Sequence, residues 1–176
     1  MNKLIVLFTI IISSVFVACK QEPDIPSVKI GENTWMVKNL DVSRFRNGDS
    51  IPEAKTKLEW AAYGMSKKAA WSHYNNDIGE GANYGKLYNW FACADSRQIC
   101  PVGWHVPSEA EWTVLTDYLG GESVAPGKMK TSGTLQQADG LWYAPNTGAT
   151  NSRGWAALPG GYRNFNGSFN GVGLAA

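Results

Sequence analysis

The chain has 176 residues, which corresponds to one domain, or to one domain with a short appendage. Its 16 basic and 15 acidic residues leave no surplus charge to attract nucleic acid or an anionic membrane surface, so we expect no nucleic-acid partner. A hydrophobic content of 44% with 8 tryptophans predicts a folded core rather than a disordered chain.

The N-terminus has the layout of a secretory signal peptide. Lys3 precedes an apolar run that is too short to cross a bilayer comfortably, although a permanent transmembrane helix is the alternative. The run ends in Phe16-Val17-Ala18-Cys19, which resembles a bacterial lipobox with Phe16 in place of the usual aliphatic residue. We predict a lipoprotein signal peptide over residues 1–18, a lipidated Cys19 and a polar tether over residues 19–27. The protein is then anchored at the outer membrane or cell surface.

Two further cysteines follow the tether. Export places them in an oxidising compartment, so we predict a disulfide between Cys93 and Cys100. Closing so short a loop stabilises a fold by roughly 2.5 kcal/mol in the chain-entropy description. The alternatives are two free buried thiols or, with His105 as the nearest imidazole, a metal or redox site.

A hairpin is predicted at each end of the domain. The β-prone runs Val28–Ile30 and Thr34–Val37 flank Gly31-Glu32-Asn33 and predict a hairpin with a three-residue loop. Near the other end, Asn166-Gly167 lies between two aromatic runs and is a strong signal for a second hairpin.

The middle of the chain shows weaker periodicity. Residues 44–77 fit neither the helical nor the alternating pattern, which predicts a loop with short helical pieces. Apolar residues at helical spacing from Tyr84 to Ala92 predict a short helix. The segment 122–150 is rich in Gly, Asn and Thr and is predicted to be a long ordered loop of the kind that carries binding sites.

The clearest helix begins at Ser108. Glu111 stands three residues later, so the pair predicts a capping box, and Gly120 ends the helix. Glu109 and Glu111 suit the positive end of the helix dipole. Because they are two residues apart, they splay around the helix and do not form an acid–base pair.

Four blocks of the chain carry a family resemblance. They are the segments Ile30–Met36, Tyr84–Trp90, Cys100–Trp112 and Leu158–Arg163. In this order they resemble the bacterial family called the Fibrobacter succinogenes major paralogous domain, and the resemblance assigns residues 28–176 to one such domain. Members of this family occur in secreted or lipid-anchored bacterial surface proteins. They continue past the Gly171 region with strand sequence that is absent here, so we expect a C-terminally truncated chain.

A second, weaker resemblance concerns the fold. The segment Val106–Trp112 is similar to the helix entry of the formylglycine-generating, sulfatase-modifying domains. This resemblance implies an α+β, C-type-lectin-like domain with short helices, a small twisted antiparallel sheet and long loops. Those enzymes hold copper with a closely spaced Cys pair near the end of the domain, whereas Cys93 and Cys100 precede the capped helix. A metal-dependent oxidase is therefore our least favoured function.

Other chemistry finds little support. His105 lies between Trp104 and Val106, which favours packing in the core with one ring nitrogen hydrogen-bonded. We expect no catalytic residue and no cofactor. A structural calcium site is the one alternative, at the polar group formed by Asn75–Asp77 and Glu80, where ordinary loop polarity is the simpler explanation.

The tryptophans divide into two sets. Those within the family blocks are predicted to form the core: Trp35, Trp90, Trp104 and Trp112. Those in loops could stack on sugars or anchor a protein partner, although burial is the alternative for each. With one asparagine they are the candidate ligand-binding residues: Trp60, Trp71, Trp142, Trp155 and Asn146.

These observations predict a lipid-anchored surface protein that is not an enzyme. We expect a binding module for a glycan or protein ligand. A structural spacer with no specific ligand, or a gene fragment, is the alternative. Exposure of Trp142 and Trp155 on one concave surface would favour the binding module, whereas their burial would favour the spacer.

Overall fold

The computed structural model describes residues 25–175, and they form the mixed α+β domain that the sequence predicts. The predicted signal peptide (1–18), the lipidated Cys19 and most of the tether lie outside the described residues. Within the described range, no helix has the length and apolar character needed to span a bilayer.

The elements are short and are joined by long loops. The helices are α1 (Lys57–Met65), α2 (Ile78–Tyr84), α3 (Trp90–Cys93), α4 (Glu109–Tyr118) and α5 (Ala125–Met129). The strands are β1 (Ser27–Ile30), β2 (Asn33–Met36), β3 (Trp71–Ser72), β4 (Leu87–Tyr88), β5 (Gly160–Arg163) and β6 (Phe169–Val172). They pair as β1–β2, β3–β4 and β5–β6, so the one small sheet expected from the resemblance is three separate two-stranded antiparallel sheets in the described chain.

The first hairpin has a two-residue loop instead of the predicted three. Asn33 belongs to β2 and pairs with Ile30, so only Gly31 and Glu32 make the turn. Gly31 has a φ of +62°, a conformation that glycine adopts without steric cost. Its position is also close-packed, because a Cβ there would lie 3.4 Å from the ring of Tyr118 at the end of α4.

This hairpin packs on two helices. Ile30 and Trp35 lie in one hydrophobic cluster with residues of both helices. The helix residues are Leu115 of α4, Leu119 at the C-cap of α4, and Ala125 of α5. Val28 and Trp35 are cross-strand partners, so they point to the same face of the hairpin. Successive side chains of β2 point to opposite faces, and the face that carries Trp35 is the one buried against α4.

The helix predicted from Tyr84 to Ala92 is wrong. Gly85 has a φ of +71°, which ends α2, and the chain then forms β4 before α3 begins. The side chain of Asn89 caps α3 by accepting a hydrogen bond from the Ala92 amide at 3.0 Å. The apolar residues fall at helical spacing but belong to three different elements.

The second hairpin is confirmed, and its loop has three residues, 165–167, when the Asn164–Ser168 pair is counted with the strands. Arg163 pairs with Phe169, and Asn164 donates its amide to the Ser168 carbonyl at 2.8 Å. Gly167 takes the positive-φ position of this loop at +83° and packs on the backbone of Lys57 at the start of α1. The hairpin thereby docks on a helix more than a hundred residues earlier in the chain.

Candidate ligand-binding cleft

A cleft of about 570 Å³ lies beside β2, and its size is within the range of small-molecule and peptide sites. One wall is the unbroken segment from Asn33 to Leu40. The rest of the lining comes mainly from the loop before α4, the first turns of α4 and the segment Trp155–Ala157. The lining residues outside the first wall are Tyr88, Cys93, Cys100, Gly103, Trp104, His105, Val106, Pro107, Glu111, Trp112, Trp155, Ala156 and Ala157. We call this cavity the aromatic cleft.

Three tryptophans meet at the cleft. The rings of Trp112 and Trp155 are stacked, with centroids 5.4 Å apart and planes at 18°. Trp35 lies against both, at 5.3 Å from Trp112 and 5.0 Å from Trp155. Trp35 is buried whereas Trp112 is 40% exposed, so this tryptophan cluster is anchored in the core and open to solvent on its other side. Such a surface offers apolar rings to a ligand at little conformational cost.

The entrance of the cleft is organised by the capping box of α4. As predicted, Ser108 Oγ accepts the amide of Glu111 at 3.3 Å, and the Glu111 carboxylate accepts the amide of Ser108 at 2.8 Å. The second carboxylate oxygen lies 2.8 Å from His105 Nε2. His105 is therefore exposed and held by Glu111, so its predicted place in the core is wrong, whereas the predicted hydrogen bond is present.

These bonds keep the carboxylate of Glu111 ionised. The backbone amide and hydroxyl of Ser108, and then His105, lower its pKa to about 2 from the ordinary 4.5. A carboxylate with so low a pKa is a poor proton shuttle near neutral pH. Glu111 thus serves as a fixed anchor for α4 and His105.

Acid should weaken the domain through Glu111. Its pKa is lower in the folded protein than in the unfolded chain, so its contribution is complete above about pH 4.5 and is lost as the pH falls toward 2. We expect Glu111→Gln to remove this contribution. Urea unfolding at pH values from 7 to 2 should show a flatter decline of the unfolding free energy than in the wild type.

Glu109→Gln is the matched control, because Glu109 is also in the first turn of α4 but forms no capping bond. It should change the wild-type slope less than Glu111→Gln does, because it breaks no capping hydrogen bond. Asp95 has a pKa lowered to about 2 by Arg97, so some acid sensitivity persists in every variant. Identical slopes for Glu111→Gln and the wild type would contradict the anchoring role.

Two polar side chains fix the walls of the cleft. Arg46 donates from Nε to the carbonyl of Cys100 at 3.1 Å and from Nη2 to the carbonyls of Pro101 and Trp104 at 2.9 and 2.8 Å. The hydroxyl of Tyr88 accepts the amide of Val42 and donates to its carbonyl, both at 2.7 Å. Sequence analysis missed both residues, because neither bond joins chain neighbours.

The two cysteines line the cleft and are free thiols. The predicted Cys93–Cys100 disulfide is therefore absent from the structure. Burial raises the pKa of each thiol, and the neighbouring Cys93 raises the pKa of Cys100 further, although Arg46 opposes this. Both cysteines behave as small apolar groups here, packed at the boundary between the cleft and the core.

Of the five predicted ligand residues, the structure places only Trp155 in the aromatic cleft. Three others are buried and hold the core together. Trp71 donates Nε1 to the carbonyl of Ile51 at 2.8 Å, and Trp142 donates Nε1 to the hydroxyl of Thr131 at 3.0 Å. Trp60 is also buried, beneath a guanidinium. Trp60 belongs to α1 and Trp71 to β3, and only Trp142 lies in a loop, where it is buried.

Asn146 is also structural. Its Nδ2 donates to the carbonyls of Thr131 and Gly133 at 3.0 and 2.9 Å, and it does not line the cleft. The core prediction for the other tryptophans holds for Trp35, which is buried, and in part for Trp104, which packs against a core cluster. Trp104 is half-buried, whereas Trp112 is exposed at the cleft and Trp90 is 74% exposed elsewhere.

The polar group considered for calcium has other roles. Asp77 caps α2 by accepting the amide of Gly79 at 2.7 Å, and Asn76 Oδ1 lies 3.5 Å from Arg163. In the part of the chain that the structure describes, no three His, Cys, Asp or Glu side chains come together as a metal site. Helix capping and loop packing account for Asp77 and Asn76.

Comparison with known proteins identifies a family. The family model of the Fibrobacter succinogenes major domain matches residues 28–176. No curated protein and no solved structure matches the chain.

Proposed function

The chain belongs to the Fibrobacter succinogenes major domain family over residues 28–176, and we propose that it is a lipid-anchored cell-surface protein that binds a ligand in the aromatic cleft. The observation that carries this proposal is the tryptophan cluster. Trp112 and Trp155 stack on each other, rest on the buried Trp35 and remain open to the cleft. Exposed aromatic surface in a concave, preformed site is typical of binding sites.

The polar groups around the cleft support binding rather than catalysis. Glu111 and His105 are bonded to each other, and Glu111 also caps α4. The thiols of Cys93 and Cys100 have raised pKa values, which disfavours a nucleophilic thiolate. These groups fix the shape of the site, and we propose that the protein has no enzymatic activity. We also propose a C-type-lectin-like arrangement, which the short helices and long ordered loops support.

A spacer protein without a ligand is the second candidate. The burial of Trp142 favours it, since a shared concave surface with Trp155 is not formed. The aromatic cleft is a different surface, however, and a spacer has no need of exposed stacked tryptophans. The aromatic cleft therefore supports the binding function over the spacer.

Binding is tested with defined probes. The full chain in detergent would be titrated with hexasaccharides of glucose, xylose and N-acetylglucosamine, and with a display library of random ten-residue peptides. Tryptophan fluorescence and calorimetry report occupancy of the cleft. We expect at least one probe class to bind and to shift the fluorescence. A folded protein that binds none of these probes would favour the spacer.

The lipid anchor depends on Cys19, and its test is independent of the ligand. Cells that express the wild type should incorporate labelled palmitate into the protein and carry it in the membrane fraction. Cys19→Ser should abolish labelling and leave an unprocessed precursor, whereas Cys93→Ser should retain both label and location. Labelling of Cys19→Ser would contradict lipidation at this residue.

A further inference from the structure

The aromatic cleft has an unpaired strand edge along one wall. All its lining residues from the first hairpin follow the turn, from Asn33 onward, and none belongs to β1. The β1–β2 sheet has only two strands, so β2 has one neighbour. The cleft therefore runs beside the edge of β2 that faces away from β1.

The pairing register shows which backbone groups face this edge. Val37 donates its amide to the carbonyl of Pro26 at 3.0 Å, so these two residues form a hydrogen-bonded pair. Hydrogen-bonded and non-bonded pairs alternate in an antiparallel ladder. Thr34, opposite Lys29, and Met36, opposite Ser27, are then non-bonded pairs whose amides and carbonyls point outward.

These outward groups have no partner. Neither the amide nor the carbonyl of Thr34 or Met36 forms a hydrogen bond with any residue in the range 25–175. They repeat at the spacing of alternate strand residues, about 6.8 Å. Another extended backbone offers donors and acceptors at this repeat, whereas sugar hydroxyls have no such regular match.

The same wall carries one charge that the domain does not neutralise. Lys38 lines the cleft, is exposed, and forms no ion pair in the described part of the chain. His105 and Glu111, which also line the cleft, are bonded to each other. Trp35 Nε1 is buried at the cleft wall without a hydrogen-bond partner among the described residues. The wall formed by residues 33–40 thus offers an unpaired backbone edge and a cation to a ligand.

We propose that the ligand of the aromatic cleft is an extended peptide that adds to β2 as a third strand. This proposal rests on the proposed function and specifies its ligand. The peptide backbone pairs with Thr34 and Met36. An apolar side chain packs on Trp112 and Trp155, and an acidic side chain lies opposite Lys38.

The first experiment uses the wild-type protein. Peptides would be selected from the ten-residue display library on the full chain, and those that also bind Trp112→Ala would be discarded. We expect the survivors to be enriched in an acidic residue and an aromatic or aliphatic one. Methylating each backbone nitrogen of a survivor in turn should weaken binding at least tenfold at alternate positions and less than twofold between them, because only alternate amides face β2.

A matched pair of protein variants tests the same edge. Thr34→Pro removes an outward amide beside the cleft and no bond to β1. Lys29→Pro removes the outward amide of its cross-strand partner, on the far edge of the hairpin. We expect at least tenfold weaker peptide binding for Thr34→Pro and less than a twofold change for Lys29→Pro. If Thr34→Pro does not fold, the methylation series on the wild type still decides the question.

The outcomes separate the two proposals. Strand addition would be overturned if peptides that need Trp112 show no alternation in the effect of backbone methylation. It would also be overturned if they bind Thr34→Pro as tightly as the wild type. Both results would leave the binding function intact. Hexasaccharides that bind at Trp112 while the library yields no peptide would do the same. If neither probe class binds the folded wild type, the proposed function fails as well.

Discussion

Replacing Arg163 with alanine is expected to destabilise the domain by about 3–5 kcal/mol, because the buried carbonyl groups that accept its hydrogen bonds are left unpaired. The side chain is only 8% exposed. It donates to the carbonyls of Ala54, Thr56 and Gly167 at 2.8, 2.9 and 3.2 Å. Burial lowers its pKa, as expected for a cation held mainly by neutral carbonyls.

Aromatic rings cover the same guanidinium. Its central carbon lies 4.7 Å from the ring centre of Trp60 and 4.4 Å from that of Phe169. Contacts of this kind each add roughly 1–2 kcal/mol when they are shielded from water. Arg163 therefore joins the C-terminal hairpin to the start of α1 through both its donors and its flat faces.

Urea unfolding of the variants measures this role. Arg163→Lys keeps the charge but not the planar guanidinium group, so its free energy of unfolding should lie between those of the wild type and the alanine variant. Arg153→Ala is the control. Arg153 is exposed and covers Tyr118 at 5.6 Å, so it should change stability by less than about 0.5 kcal/mol. A loss below about 1 kcal/mol for Arg163→Ala would show that the network is not needed.

Trp112→Ala is expected to weaken ligand binding at least 30-fold, because exposed aromatic residues at the centre of a binding surface commonly contribute about 2 kcal/mol or more. Trp112 supplies the exposed half of the stacked pair with Trp155. Its loss removes the ligand platform and leaves Trp155 without its partner ring. The probe is whichever hexasaccharide, or library peptide taken before the counter-selection on Trp112→Ala, binds the wild type, and the Kd is measured by calorimetry.

Trp90→Ala is the matched control for this variant. Trp90 is 74% exposed on α3 and does not line the aromatic cleft. It removes an equally large ring, so it controls for nonspecific contacts between tryptophan and the probe. We expect a less than twofold change in Kd. Equal losses for Trp90→Ala and Trp112→Ala would mean that the probe does not bind in the cleft.

Structural features that depend on residues only a few positions apart could be predicted from the sequence. Ser108 and Glu111 form their capping box because both partners lie in one helical turn. Thr56 and Glu59 have the same spacing and form a second capping box at the start of α1. The Gly31 and Gly167 turns are likewise local, and both hairpins form where the sequence places them.

The helix predicted from apolar spacing does not form where Gly85 interrupts the helical backbone. From Tyr84 to Ala92 the apolar residues follow a helical period, but Gly85 at φ +71° breaks the chain into a helix end, a strand and a new helix. Periodicity measures which faces are apolar and does not detect a change of backbone conformation between them. Glycine at a positive φ is permitted by the sequence and selected by packing, here against Asn39 and Leu40.

The sequence by itself determined the α4 cap and the two hairpins, since each depends on residues close together in the chain. Only the tertiary structure decided which tryptophans face solvent. Trp142 is covered by its own loop, whereas Trp112 and Trp155 are brought from distant segments to Trp35 and left open. The exposure of a ring depends on the residues that pack over it, and these come from distant parts of the chain. Arg163, for example, covers Trp60 and is itself bonded to the carbonyl of Ala54.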